Sequence, residues 1–389
     1  MTDRAPEGVV IVGGGVAGFR VAETLAQGGY AGAITVLDDD RILACNRPLL
    51  SKAYLEGSAA RDELALPARA AHAYEVRTAR VETVDLDGAI VRTADGGEVA
   101  FDRLVLATGL RPRLLSGPGD TAQVPVATID DVERLRAAVD RAARIVVVGG
   151  GALALEAASS LVSLGAEPIL ISRSGRPMRR QLGSLLSERL AQRVRDGVDW
   201  RIADDVSIVA GGVRAAGGLV SADLVVTAIG AAPDPAVIPP RLRGRADGVP
   251  VDEQFRSAVD PRVLVVGDLA VWADGRPHPH WFSAMESARR AAKGLLGATP
   301  ADGWPGFVHS FWSDQWGVRL QAFGEAPQTD GREVVLIDEG TDLAVGFLDR
   351  DDVLRGVVAM SERGRPSPAL RLRAGLGRRH VDEGAVVPR

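Results

Sequence analysis

The sequence is short of sulfur and of lysine. Cys45 is the single cysteine in 389 residues, which excludes an internal disulfide, a CxxC dithiol and a cysteine-ligated iron–sulfur cluster. Five histidines (His72, His278, His280, His309 and His380) are scattered without metal-ligand spacing, so no metal site is expected. Lys52 and Lys293 are the only lysines among 46 Lys and Arg residues; the bias reflects codon composition and makes a retained lysine more interesting. No apolar run is long enough to span a bilayer, so no membrane partner is expected. The polar first eight residues lack the apolar stretch of a signal peptide, which points to a cytoplasmic protein. A net charge of −5 argues against nucleic acid as the main partner. What remains, 46% hydrophobic and 25% charged residues, is ordinary for a globular chain long enough to build two or three domains.

Glycine, by contrast, is used in a pattern. Gly13-Gly14-Gly15-Val16-Ala17-Gly18 and Gly149-Gly150-Gly151-Ala152-Leu153-Ala154 each follow a β-branched run, Val9–Val12 and Ile145–Val148, and each opens a helical pattern. Such a strand–turn–helix binds a dinucleotide: glycine lets the backbone approach the pyrophosphate, and the helix amino terminus offers unpaired N–H groups and a positive dipole end. Two in one chain imply two dinucleotide sites facing each other, as in a flavoprotein that takes hydride from a nicotinamide.

The remaining pattern extends this reading. A second strand, 33–37, ends at Asp38-Asp39-Asp40, where an acid would bond ribose hydroxyls. The buried run 101–106 leads into the small-residue turn Ala107-Thr108-Gly109. Residues 128–143 have helical periodicity, with Asp130 and Asp131 near the start suiting the dipole. The second unit repeats the order of the first: strand 145–148, glycine turn, helix 154–164, strand 168–171, and a closing run 224–230 ending in Gly230. After a Pro-rich connection (232–240), the run 263–266 ends in Gly267-Asp268. Six of the 17 aromatic residues fall between Trp304 and Phe323, followed by hairpin-like alternation over 334–354; this marks a third, smaller domain. The tail from Gly377 is polar and arginine-rich, expected to be mobile. The expected fold is α/β: two Rossmann-like nucleotide-binding domains, for FAD (1–114 with 236–303) and for NAD(P)H (115–235), plus an α+β carboxy-terminal domain (304–389).

Two stretches are more specific. Asn46-Arg47-Pro48-Leu49-Leu50-Ser51-Lys52-Ala53-Tyr54-Leu55 and Phe311-Trp312-Ser313-Asp314-Gln315-Trp316-Gly317, with both glycine turns in order, make the chain resemble the FAD-dependent NAD(P)H:ferredoxin reductases of the glutathione-reductase structural class. These serve cytochrome P450s and ring-hydroxylating oxygenases. The resemblance implies electron flow from a nicotinamide through FAD to a [2Fe–2S] or other small ferredoxin, and on to an oxygenase. It implies that Gly13, Gly15 and Gly18 approach the FAD pyrophosphate, that Asp38 or Asp40 holds the adenosine ribose, and that Arg47 neutralises phosphate. Ala107, Thr108 and Gly109 would line the FAD site, Asp268 would bond the ribityl chain, and Trp281 would lie near the ring. Lys52 and Glu156 would meet beside flavin N5, where a buried ion pair responds to the charge that hydride brings. Trp312 would stack near the isoalloxazine or nicotinamide. The plainer readings are a helix cap for Asp268, solvated charges for Lys52 and Glu156, and a core aromatic for Trp312.

The chain departs from its relatives in two places. The second unit has Ser172 and Arg173 where a NAD site needs an acid for the ribose 2′-hydroxyl, and the cationic stretch continues to Arg180. Arginine forks bond a 2′-phosphate that a carboxylate would repel. With Gly149, Gly151, Ala154 (in place of a third glycine) and Gly230, these residues are expected to bind NADPH, with NADH the alternative. The plainer reading is a solvated loop or acceptor-docking patch. Cys45 stands where relatives carry an aromatic. Two rival functions follow: a single-cysteine peroxide or disulfide reductase acting through Cys45, and a non-catalytic flavin-binding pathway protein. A small buried core residue is the simpler account of Cys45.

Overall fold

The computed structural model describes residues 8–40, 42–234, 236–244, 248–299, 306–325 and 331–378. The expected seam at Trp304, the domain joint at 303/304 and the tail beyond 378 lie outside these residues. The chain divides into two compact units. One draws on Met1–Asn46, Arg61–Arg111 and Ala231–Phe307, the other on Arg47–Ala60, Pro112–Gly230 and Val308–Arg389. The segment bearing Lys52 therefore packs with the second unit.

The main elements of the first half are β1 (Val9–Val12), α1 (Val16–Gln27), β2 (Ile34–Asp38), β3 (Glu75–Thr78), β4 (Arg103–Leu106), β5 (Ala122–Val124), α2 (Ile129–Asp140), β6 (Ile145–Val148), α3 (Ala152–Ser163), β7 (Ile169–Ser172) and α4 (Arg179–Gly197). They continue with β8 (Asp199–Ile202), β9 (Leu224–Thr227), β10 (Val263–Val265), α5 (Trp281–Leu295), β11 (Ser310–Gln315), β12 (Val318–Gly324), β13 (Arg332–Glu339), β14 (Asp342–Leu348), β15 (Leu354–Glu362) and α6 (Pro368–Leu372).

In the first unit a parallel sheet runs in the order β10-β4-β1-β2-β3. Its middle strand β1 is apolar and buried along its whole length, as a strand covered on both faces must be. Val9, Val10, Ile11, Val12, Leu104, Val105 and Leu106 are all buried against α1 and α5 in one core. Glu23 on α1 is buried too, and its carboxylate accepts from the N–H groups of Arg69 and Ala70, the Tyr74 hydroxyl and the Gln27 amide. Burial alone would push this carboxyl up; the four donors outweigh it and hold Glu23 below its usual range, while burial and Glu23 together push Tyr74 up.

The second unit repeats the plan, with a parallel sheet in the order β8-β7-β6-β9-β5. Helix α2 starts where the charge pattern indicated: the Thr128 hydroxyl accepts from Asp131 N–H at 3.2 Å, and the Asp131 carboxylate accepts from Thr128 N–H at 3.0 Å. Strands β11 to β15 form an antiparallel sheet in the order β11-β12-β15-β14-β13, covered by α6 through Phe323, Leu354, Val357, Ala369 and Leu372. The long α4 was not apparent in the sequence. It is broken at Gly183 (φ 74°, ψ −169°), and the Glu333 carboxylate from β13 accepts from Ser184 N–H at 2.6 Å and Leu185 N–H at 3.0 Å, capping its second half. Among the described residues no helix is long and apolar enough to cross a membrane.

Candidate flavin and coenzyme site

At the first glycine turn the backbone leaves β1 and enters α1 with no room for side chains. Gly13 has φ +100°, and a Cβ there would meet the Ala107 carbonyl oxygen at 2.5 Å. One on Gly18 would collide with the Gly13 carbonyl. At Gly15 the opposite holds: nothing lies within 4 Å of an added Cβ, so the space before α1 is open. No side chain caps α1 and no acid lies in its first turn, leaving its first N–H groups for a ligand. Beside this turn the Thr108 hydroxyl is buried without a partner among the described residues. A site with an open, uncapped helix end and an orphaned hydroxyl fits a dinucleotide.

The strand register places the two aspartates differently. β1 pairs in parallel with β2 so that Val12 faces Leu37, and a Cβ on Gly14 would touch the Asp38 carboxylate at 2.5 Å. Asp38 therefore ends β2 against the turn, and Asp40 lies two residues further on. Gly267 (φ +73°) approaches Ala17 on α1 within 3.0 Å of an added Cβ, and its N–H donates to Ser287 Oγ at 3.0 Å. That bond fixes the half-buried Asp268 in a short 3-10 turn, Gly267–Leu269. Trp281 starts α5 and is half-buried. Gly109 and Gly230 both have positive φ with open space around them. Arg47 opens a 3-10 turn at an exposed position. Cys45 is 4% exposed and bridges Ala65 in antiparallel fashion, a core position.

In the second unit Lys52 and Glu156 come together, contrary to the solvated reading: Nζ lies 2.8 Å from Oε2, with the residues 7% and 6% exposed. Two buried hydroxyls complete the carboxylate. Ser51 Oγ donates to Oε2 at 2.6 Å and Ser313 Oγ donates to Oε1 at 2.6 Å. Buried charge persists only when paired and bonded in this way. Gln315 Nε2 donates to Ser313 Oγ at 2.8 Å and to Met178 Sδ at 3.5 Å. Sequence reasoning missed Ser313 and Gln315, although two polar residues at strand spacing in an apolar setting were the available signal. Trp312 is not brought into this cluster. Strand alternation turns it, half-buried, to the face opposite Ser313, the face of Asp314 and its Arg319 partner.

The second glycine turn has the form of the first. Gly149 (φ +147°) abuts the Ala228 carbonyl, Gly151 has open space, and α3 has no side-chain cap and no acid in its first turn. A Cβ on Gly150 would lie 3.3 Å from Ser172 Cβ, so Ser172 holds the place that Asp38 has in the first unit. Its hydroxyl is committed, donating to the Ser174 carbonyl at 2.9 Å and accepting from Trp200 Nε1 at 2.9 Å. Beyond it Arg173, Arg176, Arg179 and Arg180 are exposed, and none is ion-paired among the described residues. Arg195 stacks over the Trp200 ring at 5.5 Å.

Comparison with known proteins agrees with this geometry. Residues 7–293 match the pyridine nucleotide-disulphide oxidoreductase family. A probable ferredoxin reductase, CtmF, of Castellaniella defragrans is 34% identical over 82% of this chain and 82% of its own length. The ferredoxin–NAD(+) reductase component of the p-cumate 2,3-dioxygenase system of Pseudomonas putida is 33% identical over 91% and 90%. The solved covalent complex of putidaredoxin reductase with putidaredoxin superposes with a TM-score of 0.81 at 28% identity, over 92% of this chain and 90% of that one. The chain belongs to the pyridine nucleotide-disulphide oxidoreductase family and, within it, to the flavoprotein ferredoxin reductases.

Proposed function

We propose that this protein is a FAD-dependent reductase that takes hydride from NADPH and passes electrons singly to a small ferredoxin, of [2Fe–2S] or similar type, serving a P450 or other oxygenase. The observation that carries the reading is the pair of glycine turns, each opening an uncapped helix with empty space before it. The relatives' ferredoxin partners support the acceptor. We further propose a cytoplasmic location and a division into an FAD domain, a coenzyme domain and a carboxy-terminal domain with the boundaries given above.

Bound FAD supplies a ring that accepts hydride and releases electrons one at a time. Gly13, Gly15 and Gly18 admit its pyrophosphate to the α1 N–H groups, with Arg47 as counter-charge. Asp38 accepts from the adenosine ribose, Asp268 bonds the ribityl chain, and Thr108 offers its hydroxyl. Lys52 and Glu156 hold a fixed pair of opposite charges for the N5 edge, oriented by Ser51 and Ser313. In the coenzyme domain Gly149, Gly151 and the α3 N–H groups receive the second pyrophosphate. Ser172 in place of an acid, and the exposed guanidinium groups of Arg173 and Arg180, without an ion-pair partner among the described residues, favour a 2′-phosphate.

Anaerobic stopped-flow mixing of the yellow holoenzyme with each nicotinamide tests the reading. Rapid flavin bleaching and ferredoxin-dependent cytochrome c reduction are expected, with a higher kcat/KM for NADPH. A colourless protein that takes up no FAD would end the proposal; a preference for NADH would remove only its coenzyme part. Lys52→Met should keep FAD yet slow its reduction about 100-fold or more, the size of one missing electrostatic partner.

A further inference from the structure

We infer that Gln315 is a positioning residue that ties the coenzyme's seat, through Met178 at the second glycine turn, to the Lys52–Glu156 ion pair. The inference rests on the reading just given, which assigns the coenzyme to the second turn and the ion pair to the flavin edge.

Gln315 is 2% exposed on β11 and its amide orientation is forced. Ser313 has one hydroxyl proton, and at 2.6 Å that proton goes to the Glu156 carboxylate. What Ser313 can offer Gln315 at 2.8 Å is a lone pair, so the amide must present Nε2 rather than Oε1. The second Nε2 proton then points at Met178 Sδ, 3.5 Å away, and Oε1 is left buried without a partner among the described residues. One amide group thus keeps the Ser313 hydroxyl turned toward Glu156 and grips Met178.

Met178 is the other half of the device. It precedes α4 with φ 50° and ψ 26°, a left-handed conformation uncommon for a residue with a long side chain. Its N–H donates to the Gly150 carbonyl at 3.1 Å, and its own carbonyl accepts from Gln181 N–H and Leu182 N–H. It therefore joins the middle glycine of the coenzyme turn to the start of α4, where Arg179 and Arg180 stand. A side chain that anchors Met178 in this conformation sets the turn and the arginine-bearing end together. The line Lys52, Glu156, Ser313, Gln315, Met178, Gly150 consists of direct interactions, each of a few ångströms. Among the described residues, Gln315 is the side chain that bonds both halves of it.

The test uses the FAD-loaded full chain and two readouts: the Kd of NADP+ (or NAD+, if wild type binds that tighter), and the limiting rate of flavin reduction at saturating reduced coenzyme. Gln315→Leu is expected to weaken the oxidised dinucleotide about three- to tenfold and to slow the limiting rate by a similar factor, the size of one buried hydrogen bond at each end. Adding Met178→Leu to it should cost little further affinity, because both changes break the same interaction. A merely structural role would lower the melting temperature and leave both readouts alone. If Gln315→Leu fails to hold flavin, the single variants decide: Met178→Leu must weaken the dinucleotide and Ser313→Ala must slow reduction. Wild-type values for Gln315→Leu in either readout, additive losses in the double variant, or wild-type behaviour of both single variants would overturn the inference. Failure of the underlying reading looks different, since wild-type flavin would then not be bleached by either nicotinamide.

Discussion

The two glycine turns share a backbone and differ in what surrounds it. In both, the first glycine's N–H donates to the end of the neighbouring strand, Gly13 to Leu37 and Gly149 to Ile171, at 2.8 and 2.9 Å. In both, the strand on the other side adds the same bond, Ala107 N–H to Val12 and Ala228 N–H to Val148. The differences begin with side chains. Gly18 allows α1 to close on Gly13, whereas Ala154 puts a methyl group at the equivalent place. Asp38 faces Gly14 where Ser172 faces Gly150. Arg20 and Glu156 stand at the same position past their turns, and only Glu156 has acquired a buried cation and two hydroxyls. A repeated backbone thus carries two different sets of side chains; in the function proposed above, the backbone supplies two phosphate seats and these side chains decide which dinucleotide each takes.

The largest effect is expected where the first turn is tightest. Gly18→Ala must force α1 off the Gly13 carbonyl, and should cost on the order of 2–3 kcal/mol with most of the bound flavin lost, read by absorbance and thermal melting. Ala154→Gly, the reciprocal change, should keep flavin and cost about 1 kcal/mol through helix propensity. Equal losses in the two variants would erase the distinction between the turns. Next is the acid at the strand end. Ser172→Asp should move the kcat/KM ratio toward NADH by about 10- to 100-fold, because a carboxylate repels the 2′-phosphate and accepts from the 2′-hydroxyl; an unchanged ratio means that the arginines alone do not read a 2′-phosphate there.

A third change touches the helices behind the turns. Glu23 on α1 holds the 69–70 segment, whereas Ser159 at the matching position of α3 merely accepts from Trp316 N–H. Glu23→Gln should cost about 1–3 kcal/mol at neutral pH. Because the folded carboxyl lies below its usual range, its contribution is present above the ordinary glutamate pKa and is lost as pH falls through the depressed value. Urea unfolding of the two proteins should therefore converge in acid. The smallest effect concerns Asp223, held at about 2 by the Arg144 guanidinium and backbone N–H. Its stabilisation is present above the ordinary aspartate range and lost as pH falls toward that value, so Asp223→Asn should flatten only the most acid part of the melting curve.

Much of the fold is readable from the residues. β-Branched runs before glycine clusters mark β1 and β6, and helical periodicity with Asp130 and Asp131 near its start marks α2. The position of Asp38 against the glycine turn is closed to the sequence because it depends on strand register, which only the folded chain reveals. Helix α4 is obscured by Pro177 and Gly183, which read as breaks, and by the arginines at its start. Trp200 is invisible as a neighbour of Ser172 because parallel strands bring residues together across a helix in the sequence. Lys52 and Glu156 stand out through a motif, while the serine and glutamine that steady Glu156 lie in a segment conspicuous for its tryptophan.

The cap that Glu333 places on the broken helix limits how this chain can be rearranged. A chimera that exchanged the final eighty or so residues as a cassette would strip the second half of α4 of its carboxylate cap and leave Gly183, which a Cβ would press against Phe347 at 2.9 Å, without the wall that shapes it. Grafts meant to alter acceptor choice should therefore carry α4 and β13 together.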